Sequence, residues 1–579
     1  MLQLRRTVIM VCVVACGALW TEAEGIVRNV TNLSEFRTAM GAANPGDVIQ
    51  VQYGVYQVTA SSDPKHWFKR AGTVADPIQI VGILDVGGNR PVFDATGTDI
   101  DRGIFYIWPY YPNYVIENLE FRNSRGGATQ SHNAAAAYIQ APNITFRNCY
   151  SHHNDDGWFS TDQADNTLLE FCETASNGYG DGYSHNYYVN SPSMIVRGNY
   201  IRDSVGGQNF KSRCSHLVFE NNFMERDGNY MWEIASNNVD NTLMIGNVII
   251  KGTSAANNRI IGLSDGTSSN ASTGTLTMIN NTVVSTSSYQ VYFFTLSVAT
   301  TNLVLYNNIL TGPSTNLWSW AGSGTRTGSH NWFQTGMYIP AGITDSTVGS
   351  DPGFANPGAS DYHLLPGSAC RDAGNNAPQW LNRYDVWETR VPDAEYVLHL
   401  ATTPRPVDSA LDIGAYEYPI AMPALASSEP AADGTLPKTQ NNVILLTFDA
   451  AITLPDGGAW ALSIFGGGFE EGSAFTYSIE PDGVTLKAVE QGPILTDLTW
   501  YVVTPAAGFD VEAFSLDLCT LVGDADNSSR VTTADYVEVK AHMGQYTDAR
   551  YDLNGSGRVT TADYSVVKSN LGQRAPAKP

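Results

Sequence analysis

The sequence predicts an all-β fold: a long right-handed parallel β-helix, then an immunoglobulin-like β-sandwich, then a small α-helical module. Three observations predict this arrangement. A strand-like segment returns at short intervals between residues 113 and 310, residues 419–519 contain short strands separated by turns, and an aspartate-rich loop occurs twice near the C-terminus. Glycine accounts for 53 of the 579 residues, as expected for many short strands joined by turns.

Each copy of the long repeat consists of alternating apolar residues that end in asparagine. Cys172 takes the asparagine position in one copy, and these positions are 23 to 34 residues apart. A repeat of this length with strand-like alternation indicates a solenoid of stacked β-rungs. Leucine-rich repeats need a leucine consensus that is absent, and a propeller blade needs about 40 residues. The copies are residues 114–118, 144–148, 168–172, 194–199, 217–222, 243–247, 277–281 and 304–308.

The first 23 residues have the features of an export signal. Arg5 and Arg6 precede an apolar run, and residues 21–23 fit a cleavage site. Residues 13–16 also fit a lipoprotein box, which would leave Cys16 acylated. We therefore expect a bacterial protein that is secreted or held at the cell surface, with no transmembrane segment after signal removal. The predicted domains are the signal peptide at 1–23, the β-helix at 24–418, a sandwich spacer at 419–519, a module of two repeated loops at 520–573 and a tail at 574–579.

Charge and cysteine content exclude several classes of function. The formal charge is −24, from 33 basic and 57 acidic residues, which argues against nucleic acid as the partner. An anionic substrate would have to meet a local basic patch or bound cations. Five cysteines remain after the signal peptide, an odd and sparse set that predicts neither a disulfide framework nor a zinc site.

The two C-terminal loops share one pattern, 28 residues apart. Calcium takes six to eight oxygen ligands, which carboxylates and hydroxyls at positions 1, 3, 5, 9 and 12 of a tight loop can provide. Ser529 stands at position 6, where the turn favours glycine and the second loop has Gly557. The predicted calcium ligands are Asp524, Asp526, Ser528, Thr532 and Asp535 in the first loop and Asp552, Asn554, Ser556, Thr560 and Asp563 in the second.

These paired loops resemble type I dockerins. The resemblance implies calcium as a cofactor and a cohesin module as a partner, and Ser529 implies weaker binding by the first loop. A module of this size with few large apolar residues has little core. We therefore expect calcium to order it.

Polar and basic residues concentrate between residues 150 and 235. Tyr188 and Lys211 are 23 residues apart and precede equivalent strands, which predicts that Tyr188 lies over Lys211. The same spacing places Asn186 over Asn209 and Asn190 over Arg213. Alternation along the strand sends Asn209, Lys211 and Arg213 to one exposed face.

We expect this face to be the functional site. His185 lies beside it, and Arg197 and Arg202 add positive charge to an otherwise acidic chain. The catalytic candidates are Lys211, Arg213, His185 and Tyr188, and the substrate-binding candidates are Asn186, Asn209, Asn190, Asp156 and Arg226.

Several segments resemble the pectate-lyase-like β-helix superfamily, over about residues 25–418. Residues 44–56 and 71–80 resemble its opening, particularly that of the alginate lyase/chondroitinase B family, and residues 361–374 and 412–417 resemble its closing segment. Residues 209–212, Asn-Phe-Lys-Ser, resemble the family strand whose lysine is the catalytic base. The resemblance implies a polysaccharide lyase that cleaves an anionic, uronic-acid-containing polysaccharide by β-elimination, with Lys211 as the base.

Such an elimination needs a base for the C5 proton, a positive charge beside the carboxylate, and an acid for the leaving oxygen. A lysine can act as the base if nearby cations lower its pKa. Residues 231–233 stand where the family has Arg-His-Gly, and the metal-binding glutamates of the family are missing. Calcium in the β-helix therefore stays open, as does the identity of the acid among His185, Tyr188 and Arg213.

Other functions are compatible with the same residues. Asp155-Asp156, His185 and Lys211-Ser212-Arg213 echo the order of catalytic residues in polygalacturonase-like hydrolases. A uronate epimerase on this fold and a non-catalytic glycan-binding surface protein are the further alternatives. The aromatic cluster at residues 108–111 is predicted either to stack on sugar rings or to pack in the core.

Overall fold

A computed structural model describes most of residues 25–578. The predicted signal peptide, with Arg5, Arg6 and Cys16, lies outside the described residues. The chain divides into two compact units, Met1–Pro419 and Ile420–Pro579. The residues outside the description are 1–24, 60–65, 128–133, 227–231, 235–240, 253–257, 264–271, 297–299, 314, 320–322, 408–409, 419–422, 451, 453, 455–460, 467–468, 471–473, 507–508, 510, 546–549 and 579.

The first unit is a parallel β-helix, which confirms the predicted fold class. A complete rung contributes one strand to each of three long parallel sheets, and every strand inside a sheet pairs with its equivalents in the preceding and following rungs. The first sheet has 13 strands, which are Val27–Val30, Val48–Val51, Ile78–Gly82, Tyr114–Glu117, Ile144–Arg147, Thr167–Glu170, Ser193–Arg197, His216–Glu220, Asn241–Ile245, Thr275–Ile279, Asn302–Tyr306, Arg326–Ser329 and Ile343–Thr344.

The second and third sheets run alongside it. The 12 strands of the second sheet are Val55–Gln57, Val92–Asp94, Glu120–Arg122, Tyr150–His152, Glu173–Ala175, Tyr200–Arg202, Phe223–Glu225, Val248–Lys251, Thr282–Ser285, Ile309–Thr311, Trp332–Gln334 and Thr347–Gly349. The nine strands of the third sheet are Gly103–Ile107, Ala135–Ile139, Asp156–Ser160, Tyr187–Val189, Phe210–Ser212, Trp232–Ile234, Arg259–Gly262, Val291–Thr295 and Thr315–Ser319.

The inward residues of the three sheets form one continuous apolar core, and the short helix Leu33–Ala42 contributes Phe36 and Met40 to it. Every second residue of a strand points inward into this core. This alternation fixes the register of the strands, because a slip of one residue would turn the apolar side chains out to solvent. Around the β-helix lie a 3₁₀ turn, Pro357–Ala359, and three two-stranded hairpins. The hairpin strands are Phe354–Asn356 with Asp361–Leu364, Gln379–Leu381 with Trp387–Thr389, and Ala394–Val397 with Ala401–Pro404.

Between Glu117 and Trp332, two consecutive residues make each bend from the first sheet to the second. The first takes left-handed backbone, with φ of 49° at Asn148 and 52° at Phe171, and the second is buried. Because Arg147 pairs with Glu170, Cys172 is level with Cys149. The sequence alignment of Cys172 with Asn148 is therefore wrong by one residue, because it merged two bend positions. In later rungs the second position forms an amide ladder with Nδ2–Oδ1 distances of 2.8–3.0 Å, through Asn199, Asn222, Asn247, Asn281, Asn308 and Asn331.

The second unit contains two small sheets and a pair of helices. The four-stranded sheet, Leu425–Glu429, Val443–Phe448, Thr485–Glu490 and Phe475–Ile479, is antiparallel throughout. The five-stranded sheet comprises Thr435–Leu436, Leu516–Thr520, Trp500–Pro505, Leu462–Gly466 and Phe469–Glu470. Residues of both sheets share one apolar core, as in a sandwich. The more specific immunoglobulin-like topology stays a prediction.

The helices Thr533–Ala541 and Thr561–Asn570 each follow one of the repeated loops and pack on a small core that includes Val539 and Val567. Both helices begin with a capping box, in which the threonine at the cap and the aspartate three residues later exchange hydrogen bonds with the backbone. Among the described residues, no helix is long and apolar enough to cross a membrane.

Candidate functional site

The third sheet brings Tyr188 and Lys211 side by side. Backbone pairing aligns Tyr187 with Phe210, Tyr188 with Lys211 and Val189 with Ser212, so the predicted register is observed. Tyr188, Lys211 and Arg213 are each half-buried, whereas Phe210 and Ser212 are buried. We call Tyr188, Lys211 and Arg213 the basic–tyrosine cluster.

Both cations of this cluster approach the same aromatic ring. Lys211 Nζ and the guanidinium carbon of Arg213 each lie 5.6 Å from the centroid of the Tyr188 ring, within the range of cation–π attraction. The ring therefore holds two positive charges close together. Asn190, next to Arg213 in register, is half-buried, and its backbone N–H donates to Ser160 Oγ over 2.9 Å.

Asn186 and Asn209 do not face solvent, which contradicts their prediction as exposed substrate contacts. Both are fully buried in a second amide ladder that continues from Asn154 and Asn177. The Nδ2–Oδ1 distances along it are 2.8–2.9 Å. The prediction failed because alternation was extended past the strand into a bend, where buried backbone groups need side-chain partners. These residues hold rungs together beneath the site.

His185 is also buried, although the sequence placed it beside the exposed face. Its Nδ1 accepts a hydrogen bond from the backbone N–H of Gln208 over 3.0 Å, and its ring lies 5.5 Å from that of Tyr188. Burial lowers the pKa of His185 well below its ordinary value, and the charges of Lys211 and Arg213 lower it further. A neutral, enclosed imidazole supports Tyr188 and is poorly placed to protonate a substrate.

Asp156 is buried under the same surface, so its predicted contact with substrate is wrong. Its Oδ1 accepts from the backbone N–H of His185 over 2.7 Å, and its buried Oδ2 has no partner among the described residues. Burial raises the pKa of Asp156 well above its ordinary value, and the negative charges of Asp155 and Asp181 raise it further. Asp155, in turn, is fixed 3.0 Å from Arg125.

The other predicted cations are neutralised by carboxylates on the first and second sheets. Arg226 is exposed just after a second-sheet strand and pairs with Asp203 over 2.7 Å and with Glu225. Arg197 pairs with Glu170 over 2.7 Å, and Arg202 with Glu173 over 2.6 Å. The charges of Arg197, Arg202 and Arg226 are therefore balanced by carboxylates, and Arg226 is not part of the face that Lys211 and Arg213 form.

An aromatic row leading to Lys211 was missed in the sequence. Along the outer face of the third sheet, Tyr106, Tyr138, Phe159 and Tyr188 occupy successive register positions before Lys211. Their ring centroids are 5.2, 4.6 and 4.9 Å apart. Alternation within each strand could have revealed the row once the rungs were aligned. At the other side, backbone register places Glu233 next to Lys211.

The two C-terminal loops have a geometry suited to calcium. Oxygens of Asp524, Asp526 and Asp535 lie within 4.8 Å of one another, and Asp535 is fully buried. The second loop repeats the contacts of the first. The backbone N–H of Asn554 donates to Asp563 Oδ1, as the backbone N–H of Asp526 donates to Asp535 Oδ1.

The remaining predicted ligands lie in the same loops. Ser528 and Ser556 donate their N–H groups to the first aspartate of their loops, over 2.9 and 3.0 Å. Thr532 and Thr560 cap the helices that follow. Position 6 takes left-handed backbone in both loops, with φ of 62° at Ser529 and 84° at Gly557. This backbone explains why the position favours glycine.

Both loops also contact the β-sandwich within the second unit. Thr435 Oγ1 donates to Asp524 Oδ2 over 2.6 Å. Gln440 Nε2 donates to the carbonyl of Asn554 over 3.0 Å, and Asn441 Nδ2 to that of Gly555 over 3.3 Å. The predicted boundary at 519/520 thus falls inside one compact unit.

The second unit contains a segment that matches a known family. Residues 522–572 match the model of the dockerin type I domain. This is the part of the chain that carries the two repeated loops and their helices. No curated protein matches the chain in sequence.

Solved structures similar to the chain are parallel β-helices. A pectate lyase, Pel9A, is 16% identical with a TM-score of 0.41, and the match covers 66% of this chain and 91% of that one. A PL6 family polysaccharide lyase from Pseudopedobacter saltans is 13% identical with a TM-score of 0.35, covering 60% and 98%. An alginate lyase from Paenibacillus sp. str. FPU-7 is 13% identical with a TM-score of 0.34, covering 54% and 99%. At these identities the likeness concerns the fold alone.

Proposed function

We propose that this protein is a secreted carbohydrate-active enzyme, a polysaccharide lyase that cleaves a uronic-acid-containing polymer by β-elimination. The observation that carries the proposal is the pair of cations, Lys211 and Arg213, gathered over Tyr188 on the outer face of the third sheet. In a chain with a formal charge of −24, a local pair of cations is suited to an anionic sugar.

The cluster can supply the three parts of the reaction. Arg213 would pair with the uronate carboxylate, which makes the neighbouring C5 proton more acidic. Lys211, as the neutral amine, would remove that proton. The electron pair of the broken C5–H bond forms the C4–C5 double bond while the bond from C4 to the glycosidic oxygen breaks. Tyr188 would give its hydroxyl proton to that oxygen.

The choice of Tyr188 as the acid rests on accessibility. His185 is 1% exposed and its pKa is lowered, so it has neither access to the leaving oxygen nor the proton to donate. A guanidinium such as that of Arg213 holds its proton too strongly to be an efficient acid. Tyr188 is half-buried and next to Lys211. Lys211, Arg213 and Tyr188 therefore stay as the catalytic candidates.

The substrate class can be tested with purified full-length protein incubated with alginate, pectate and glycosaminoglycans. The proposal expects at least one polymer to give the ultraviolet absorbance of a C4–C5 unsaturated sugar. New reducing ends without that absorbance would instead identify a glycoside hydrolase. Unchanged chain length with altered uronate stereochemistry would identify an epimerase. If none of these polymers is altered, a non-catalytic glycan-binding role replaces the lyase.

For the C-terminal module we propose calcium binding and docking to a cohesin. The closely spaced oxygens of Asp524, Asp526 and Asp535, and the equivalent loop from Asp552 to Asp563, fit the oxygen ligands that calcium prefers. When bound, calcium would balance the carboxylate charge and fix the helices that follow each loop. Titration calorimetry of the full chain with calcium should give about two binding events. Variants Asp524→Ala and Asp552→Ala should each remove one.

A further inference from the structure

A pocket of about 330 Å³ in the first unit lies outside the basic–tyrosine cluster. It lies between the outer face of the first sheet and the hairpin formed by Gln379–Leu381 and Trp387–Thr389, and we call it the hairpin pocket. Its volume is within the range of small-molecule binding sites. Lys211 belongs to the third sheet, so the pocket opens on a different face of the β-helix from the proposed catalytic residues.

The floor of the pocket has a polar row beside an apolar one. Backbone register aligns Ser193, His216 and Asn241 on three successive rungs. Two residues further along the strands, Ile195 and Val218 form the apolar row, and both are partly exposed. Amphipathic surfaces of this kind suit a sugar ring, which has apolar C–H faces and a rim of hydroxyls.

Two buried polar atoms of the floor have no hydrogen-bond partner among the described residues. These atoms are His216 Nδ1 and Asn241 Oδ1. Asn241 is only 3% exposed, and its other side-chain atom, Nδ2, donates a hydrogen bond to Asp385 over 2.9 Å. Burial lowers the pKa of His216, as does the charge of Arg383, so the ring is neutral at neutral pH. Groups that both donate and accept, such as sugar hydroxyls, can satisfy an amide oxygen and a neutral imidazole together.

The wall of the pocket comes from a rigid turn. Asn382 Oδ1 accepts from the backbone N–H groups of Tyr384 and Val386, over 2.8 and 3.1 Å. Glu388 accepts from Trp380 Nε1 over 3.0 Å and from Asn382 Nδ2 over 3.2 Å. The Trp380 side chain packs on the apolar outer face of the first sheet.

The rim of the pocket carries an aromatic ring and a cation. Tyr384 is 74% exposed, and the guanidinium of Arg383 lies 5.4 Å from its ring centroid. An exposed aromatic ring of this kind can stack on a sugar.

We infer that the hairpin pocket is a second saccharide-binding site, which takes one or two pyranose rings of a glycan and is separate from the catalytic face. The ring would lie between Tyr384 and the apolar row, with its hydroxyls on His216 and Asn241. Arg383 would accommodate a carboxylate on an acidic sugar. Such a site would hold a polymer on the protein while the catalytic face works on another part of it. The inference requires no lyase activity.

Binding can be measured by saturation-transfer NMR and calorimetry on the full chain carrying Lys211→Ala, with trigalacturonate as the acidic probe and cellotriose as the neutral one. We expect at least one probe to bind. Tyr384→Ala should weaken that binding about fivefold to tenfold, the usual loss for one aromatic contact. His216→Ala should weaken it as well. Trp387→Ala, on the same hairpin but outside the pocket, should leave the affinity unchanged.

Two results would overturn the inference. One is the absence of binding by either probe to a chain that melts like the unmodified protein. The other is binding that Tyr384→Ala and His216→Ala leave unchanged, since the sugar would then lie elsewhere. Loss of lyase activity in Lys211→Ala with probe affinity retained separates this site from the catalytic proposal. Absence of lyase activity in the unmodified protein would leave the pocket result standing.

Discussion

Lys211 and Tyr188 are neighbours on adjacent rungs of the third sheet, with Lys211 Nζ 5.6 Å from the centroid of the Tyr188 ring. The ring also lies 5.6 Å from the Arg213 guanidinium. This arrangement gives Tyr188 two separable roles, as an aromatic platform for cations and as a source of a proton. Its hydroxyl matters only to the second.

Replacement of Tyr188 by phenylalanine should separate these roles. Tyr188→Phe keeps the ring, so KM should change little, whereas kcat should fall by about 10²–10⁴ because the leaving oxygen loses its acid. Steady-state kinetics on the polymer that the enzyme cleaves provides the measurement. Tyr338→Phe is the matched control, because Tyr338 is 72% exposed and outside the cluster. Full turnover in Tyr188→Phe would assign the acid to another group.

Asp156 should make the β-helix less stable as pH rises. Its folded-state pKa is raised by burial, so the folded protein binds a proton more tightly than the unfolded chain does. The contribution of Asp156 to the free energy of unfolding is therefore fully present below the pKa of about 4 that an aspartate has in the unfolded chain. It declines as pH rises toward the pKa of Asp156 in the folded protein. Asp156→Asn removes this loss and should melt at a higher temperature than the unmodified protein, by a margin that grows with pH. A constant margin from acid to neutral pH would contradict the assignment.

The buried ladder asparagines should behave as structural residues. Asn209→Ala removes the hydrogen bond that Asn209 Oδ1 accepts from Asn186 Nδ2 and the one that Asn209 Nδ2 donates to the carbonyl of Glu225, and it should lower the free energy of unfolding by about 1–3 kcal/mol. Asn222→Ala, in the ladder between the first and second sheets, should cost a similar amount. Denaturant unfolding measures both. If Asn209→Ala were as stable as the unmodified protein but raised KM, the residue would be a substrate contact after all.

Calcium should stabilise the sandwich as well as the loops. Residues 435–441 form hydrogen bonds with both repeated loops, so ordering of the loops by calcium should raise the unfolding temperature of the whole of Ile420–Pro579. Calorimetry of this unit with calcium and with chelator should give one transition that calcium moves upward. The double variant Gln440→Ala, Asn441→Ala should reduce the shift. Two separate transitions, of which calcium moves only one, would show that the contacts do not couple the modules.

The β-helix could be predicted because its repeat directly encodes the rungs. Alternating apolar residues followed by a bend residue recur in eight copies between residues 114 and 308, so even the pairing of Tyr188 with Lys211 followed from counting 23 residues. The two loops that begin at Asp524 and Asp552 could also be recognised in the sequence, because the ligands of a calcium-binding loop occupy fixed positions in a short segment.

The burial of His185, Asp156 and Asn209 could not be predicted in the same way. These residues lie at or next to bends, where alternation ends and neighbouring rungs decide what reaches solvent. The ion pairs that neutralise Arg226 also depend on contacts between rungs. The hairpin pocket joins Asn241 to Asp385, which are 144 residues apart, and no local pattern in the sequence relates them.

The central claim is that Lys211 removes the C5 proton, and it is tested most directly by comparing Lys211→Arg with the unmodified enzyme. Arginine keeps the positive charge but cannot act as a base near neutral pH. We predict that Lys211→Arg loses formation of the unsaturated product by at least about 10²-fold in kcat/KM, while Lys69→Arg, at an exposed lysine of the same β-helix, keeps the unmodified rate. Lys211→Arg that forms unsaturated product at the unmodified rate would contradict the account, because Lys211 would then contribute charge alone.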